Sequence, residues 1–215
     1  EMCIRDRLSF PIRAHAVRPL TNRCFLVMRQ LSEKELRDSL VNASVRERKE
    51  LRLPDDIDTL DWDRLEYLGW RDPKTPSIAY LVVDATRHPD VSDGTGGLDM
   101  SDDAPHTDSG GLVGLRLRVG AVPPRTRVLC ALCEDVSLPN DVLLFAARRV
   151  GSAGRRGDTI GTLICSHFEC SRNVHRLPSS AMAGQDRELV RRMRIDNLRM
   201  RVRRFAIRAG ADEIA

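Results

Sequence analysis

Hydrophobic and polar positions follow a helical period at both ends of the readable chain and a strand period between them. Leu36, Leu40 and Val41 share one face. Ser32 with Glu35 three residues on makes a capping box, so a short helix is predicted over 33–41. The charge-dense run Arg46 to Arg52 adds another turn and is broken at Leu53-Pro54. Trp62, Tyr67 and Trp70 cluster as packing anchors, and Arg71 to Lys74 is a turn. Strands are predicted at Tyr80 to Val83, over the alternating run Gly111 to Arg118, at Asp141 to Val150 and at Thr159 to Ile164. Alternation implies that 111–118 is half-buried, and Pro123-Pro124 ends it. Gly151 to Gly157, rich in glycine and arginine, reads as a tight projecting hairpin loop with Arg155 and Arg156 at its tip. A short helix is expected over Ser171 to Arg176 and a linker over 177–184. An amphipathic helix should follow from Asp186 to Ala209, with Leu189, Met193, Leu198, Val202, Phe205 and Ile207 on its apolar positions and its end at Gly210. The fold class is α+β: a small antiparallel sheet with a short N-terminal and a long C-terminal helix.

Composition fits one domain. The chain has 215 residues, 41% hydrophobic and 31% charged, which supports a core and excludes a disordered polyelectrolyte. Only 4% are aromatic, so that core is mostly aliphatic. No apolar run reaches the length of a membrane span. Residues 1–27 show no period and no leader pattern, and Met2 to Arg7 resembles a translated adapter scar. They are expected to be a non-native or disordered leader, with Met28 as the start and 28–210 as a single domain. Residues 86–110 are rich in Asp, Gly, Ser and Thr and read as a flexible insertion. Its His88 and His106 show no metal-ligand spacing. The expected compartment is the cytoplasm.

Charge is unevenly spread. Residues 28–110 carry 11 basic and 19 acidic groups, and residues 111–215 carry 19 and 10. An acidic half beside a basic half implies internal docking or a basic face for a partner. Only Lys34, Lys49 and Lys74 are lysines among 35 basic residues. Such a skew follows codon bias, and it weakens any claim that each arginine was placed for phosphate.

The cysteines carry the strongest signal. Cys130 and Cys133 are separated by two residues, and Cys165 and Cys170 by four. Four thiolates so spaced can close a tetrahedral shell around zinc. The first pair follows a strand into a knuckle and the second runs from a strand into a helix start, which is the order of a treble-clef finger. The helix start also favours the thiolate at Cys170. Structural zinc is the reading adopted. Disulfides would need an oxidising compartment, for which no signal peptide argues. A redox pair at Cys130 and Cys133 leaves the second pair unexplained. A catalytic zinc with His167 replacing one cysteine would need an open position. No nucleophile elbow, lysine-bearing phosphate loop or His-Glu-x-x-His run is present, and no enzyme is expected.

Five segments together resemble a known group: Leu65 to Pro73, Leu112 to Leu115, Cys130 to Cys133, Gly154 to Cys165, and Cys170 to Val174. In order and spacing they are similar to the treble-clef zinc-finger domain of elongation factor G-binding, FusB-type proteins, over roughly residues 31–205. The resemblance implies zinc on Cys130, Cys133, Cys165 and Cys170. It further implies a bacterial cytoplasmic adaptor that binds elongation factor G and helps free it from a ribosome stalled by fusidic acid. Since one helix or so precedes the Leu65 motif, the likeness is to a finger-only form. Arg148, Arg155 and Arg156 are the candidate contacts to an acidic partner. The alternative is binding to ribosomal RNA or DNA through Arg191 to Arg208, although Phe205 is the one aromatic there to stack on a base.

Overall fold

Two capping boxes start the described chain. In the computed structural model, which describes residues 28–85, 111–120, 128–136, 141–184 and 186–210, Ser32 caps helix α1 (Glu33–Ser39) and Ser44 caps α2 (Val45–Lys49). Each serine accepts from the backbone N–H three residues on, and a glutamate at that position reaches back. Two 3-10 turns follow at Ile57–Thr59 and Trp62–Arg64. The remaining elements are β1 (Leu68–Arg71), β2 (Ile78–Asp84), β3 (Leu112–Val119), β4 (Val142–Arg148), α3 (Gly151–Arg155), β5 (Thr159–Cys165), α4 (Cys170–His175), α5 (Ser180–Ala183) and α6 (Arg187–Gly210). The expected leader over 1–27, the expected insertion over 86–110 and Pro123-Pro124 lie outside the described residues. Among those residues no helix is long and apolar enough to cross a membrane.

The five strands form one antiparallel sheet in the order β1-β2-β3-β4-β5. Alternate side chains enter two separate cores. Trp70, Tyr80, Val82 and Leu112 pack with Leu36, Leu40 and Trp62 on one face. Leu81, Leu115, Leu117, Phe145 and Ile164 pack on the other against Val174 of α4 and Leu198, Val202 and Phe205 of α6. Because helices cover both faces, Leu112 to Leu115 are all buried, whereas alternation implied burial on one side only. β1 is a further strand where the sequence showed a packing cluster. Trp70 stacks on Tyr80 across it at 5.0 Å between centroids and donates its indole N–H to the Arg52 carbonyl at 2.9 Å.

Strand β3 meets β4 over three residue pairs only, Leu117 to Val119 against Phe145 to Ala147. Beyond that point Asn42 substitutes for the ladder. Its Oδ1 accepts from the Arg116 N–H at 2.8 Å, and its Nδ2 donates to the carbonyls of Arg116 and Arg148, each at 3.0 Å. One side chain thus satisfies backbone groups that the diverging strands would leave bare.

The segment Gly151 to Gly157 is not a projecting hairpin. It closes the β4–β5 connection as the short helix α3, with Ala153 and Gly154 buried. The Arg148 guanidinium donates through Nε to the Gly154 carbonyl at 2.8 Å. A Cβ at Gly154 would lie 1.7 Å from the Arg149 carbonyl oxygen, so this glycine permits the helix to lie against the strand end. Other departures are smaller. α5 forms within the expected linker, and Leu189 and Met193, expected on the apolar face of α6, are 46% and 54% exposed.

Gly→Ala inside a helix ordinarily stabilises by about 0.5–1 kcal/mol. At Gly154 the sign should reverse. The backbone collision predicts a loss of about 1–3 kcal/mol for Gly154→Ala in urea unfolding, and a neutral or stabilised variant would contradict the packing.

Candidate metal centre

Three stretches of backbone bring four sulfurs together. Cys130 and Cys133 sit on a turn closed by the Glu134 N–H donating to the Cys130 carbonyl at 3.0 Å. The turn is tied to β5 by the Ala131 N–H on the Leu163 carbonyl at 2.8 Å. Cys165 ends β5, opposite Val142 of β4. A second turn, with the Phe168 N–H on the Cys165 carbonyl at 3.0 Å, delivers Cys170 as the first residue of α4. Each turn contains one non-glycine residue with positive φ, Glu134 at 48° and Phe168 at 59°, a conformation that side chains adopt at a cost. Phe168 is held there by its ring, which packs on Phe145 at 4.9 Å and edge-on to Tyr67 at 6.3 Å. The ring lies over Gly69, where a Cβ would come within 2.4 Å of it.

All four cysteines are buried, and their sulfurs lie within 4.8 Å of one another. Cys130 and Cys170 are 3.6 Å apart, and Cys133 and Cys165 are 3.7 Å apart. A tetrahedron with zinc–sulfur bonds of about 2.3 Å has edges of about 3.8 Å, so the set fits zinc. The cysteines are free, which removes the disulfide reading for these pairs. His167 is exposed and its atoms are not among the convergent donors, which removes the version with histidine as a ligand.

The electrostatics also call for a cation. Hydrogen bonds from the Cys133, Cys165 and Cys170 thiols hold the Cys130 thiol well below its ordinary pKa. The Cys170 thiol is pushed well above its own, chiefly because its hydrogen is committed to Cys130. The Cys133 thiol is also held below its ordinary value and the Cys165 thiol above it, so ionisation of the whole set is opposed until a metal supplies positive charge. Tyr67 points to the same need. Burial first, and then charge on Cys170, raise its phenol pKa well above 10.0. Its buried hydroxyl has Cys170 as its hydrogen-bonding neighbour, and a metal-bound thiolate there is a better acceptor than a thiol. Asn173 Nδ2, 3.8 Å from Cys165 Sγ, orients that ligand.

Helix α6 clamps the centre from one side. Arg194 pairs with the buried Asp135 at 3.2 Å. Arg201 pairs with Glu134 at 2.6 Å and donates to the Leu132 carbonyl at 3.1 Å. Glu66 joins the clamp from the N-terminal half. Its carboxylate, 1% exposed, takes His175 of α4 at 2.8 Å together with Arg199 of α6, and its backbone N–H donates to Ser171 Oγ at 3.1 Å. Glu66, Asp135 and Asn173 were not among the residues read from the sequence. A signal was present for Glu66, a lone acid inside the apolar run Leu65 to Trp70. Asp135 and Asn173 gave none.

The three proposed contact arginines lie together at the β4–α3–β5 corner. Arg148 is exposed but holds the Gly154 carbonyl through Nε, Arg156 sits 3.6 Å from Asp158, and Arg155 is exposed.

A family model described as the FBP C-terminal treble-clef zinc finger matches residues 35–94 and 104–209. Among solved structures, that of the fusidic acid resistance protein FusC is similar at 21% identity and a TM-score of 0.38, over 60% of this chain and 47% of that one. The chain thus spans about half the length of that relative. No curated protein matches.

Removing the metal with a chelator should abolish the cooperative thermal transition, since metal binding and folding are one equilibrium at such sites. Cys133→Ser should lower the bound metal well below one ion per chain in native mass spectrometry. A second test bears on the clamp. Glu66→Ala removes the buried carboxylate shared by the half-buried Arg199 and His175 and should cost about 3–5 kcal/mol in urea unfolding, whereas Arg156→Ala at the surface should stay within about 1 kcal/mol.

Proposed function

The chain belongs to the FBP C-terminal treble-clef zinc-finger family, and on that premise we propose that it is a zinc-stabilised adaptor that binds elongation factor G. The supporting observation is the closed metal centre. Four buried cysteines saturate a tetrahedral ion and leave no position for substrate or water, so the metal's role is to hold shape. Binding, not catalysis, is then the function left to the molecule, and a non-enzymatic role is part of the proposal. The partner follows from the resemblance to elongation factor G-binding, FusB-type proteins.

The distribution of arginines favours a protein partner over RNA. Helix α6 carries nine arginines, but those at 191, 194, 199 and 201 are engaged in ion pairs with Glu188, Asp135, Glu66 and Glu134. Three of these pairs dock α6 onto the rest of the fold, and the fourth lies within the helix. Phe205 is buried in the core and offers no stacking platform.

Calorimetry of the zinc-loaded protein with purified elongation factor G should show saturable binding that survives excess RNA. Arg155→Glu with Arg156→Glu should weaken it if the β4–α3–β5 corner is in contact. Binding to RNA alone, with steep log-linear loss in salt, would replace this reading with a nucleic-acid one.

A further inference from the structure

Six of the nine arginines on α6 are used inside the molecule. Besides the four ion pairs already named, Arg187 donates to the Pro178 carbonyl and Arg203 to that of Ala85. Among the described residues, Arg192, Arg204 and Arg208 have no hydrogen-bond or ion-pair partner and are exposed. They flank an apolar stripe. At about 100° per residue, Leu189, Met193 and Met200 fall within about 40° of one another, on the side opposite Leu198, Val202, Phe205 and Ala209. The four opposite are buried in the core, while Leu189, Met193 and Met200 are 46%, 54% and 43% exposed. Asp196 lies within the stripe, with its carboxylate 3.6 Å from Arg199.

We propose that this outward face of α6 is a docking surface for an acidic helix or ridge that carries apolar side chains on the factor named above. The inference rests on that reading and adds the face that executes it. Three guanidiniums without partners among the described residues suit an anionic surface. Thioether and aliphatic side chains between them offer nothing to a phosphate backbone, but they give adaptable contact to apolar side chains. That combination selects a protein surface over a nucleic acid. The stripe runs about 16 Å along the axis, the length of three helical turns, which suits a helix laid alongside.

The test compares two double variants by calorimetry against purified elongation factor G, with thermal melts to confirm folding. All four substituted side chains are exposed, so both variants should melt like the wild type. Met193→Ala with Met200→Ala should weaken binding about tenfold by removing apolar contact. Arg192→Glu with Arg204→Glu should weaken it at least as much and flatten its salt dependence. Wild-type binding that both variants retain within about twofold would overturn the proposal while the adaptor reading stands. Weakening by the arginine pair alone would also overturn it, since only a diffuse electrostatic patch would remain. Tighter binding by the methionine pair would show that another segment of the chain or a second copy occupies the face. Absence of wild-type binding would end both readings together.

Discussion

Four sulfurs within 4.8 Å of one another in a buried site cannot all carry charge unless a cation shares the space. Most of the surrounding architecture makes sense as support for that meeting point. Two turns must adopt positive φ at Glu134 and Phe168 to aim their cysteines inward. Glu134 is held by Arg201, and Phe168 by a ring packed between Tyr67 and Phe145 above a residue that must be glycine. The four sulfurs lie between the end of the sheet and α4, so a metal held there would join those elements.

The second organising device is ionic. Arginines on α6 reach buried carboxylates from two distant parts of the chain, Glu66 two residues before β1 and Asp135 beside the first cysteine pair. Buried pairs of this kind add little net stability, because desolvation offsets most of the attraction, but an unpaired member is very costly. Their effect is to select one placement of the helix over others. Arginines of the second half are paired both where α6 meets the metal turns, at Asp135 and Glu134, and where they reach the acidic first half, Arg199 on Glu66 and Arg116 on Glu47.

The parts of the fold that were legible in the sequence are those set by local chemistry. The capping box at Ser32 and Glu35, the start of β5, the helix at Cys170 and the spacing of the cysteine pairs each follow from a few neighbouring residues. The parts that were not legible depend on what packs from far away. Gly151 to Gly157 has the composition of a flexible loop, yet the Arg149 backbone beneath Gly154 and the Arg148 guanidinium beside it make it helical. Leu189, Met193 and Met200 lie on the face of α6 opposite Leu198, Val202 and Phe205, so they stay exposed although they are apolar like the core positions. A list of apolar positions identifies a helix but does not separate the face that is covered from the one that is not.

The central claim is that one zinc ion on four cysteine sulfurs fixes this arrangement. X-ray absorption at the zinc edge of the purified protein tests it directly. The account predicts a single shell of four sulfur neighbours at about 2.3 Å. A shell containing nitrogen or oxygen, or a folded protein that carries no metal, would contradict it.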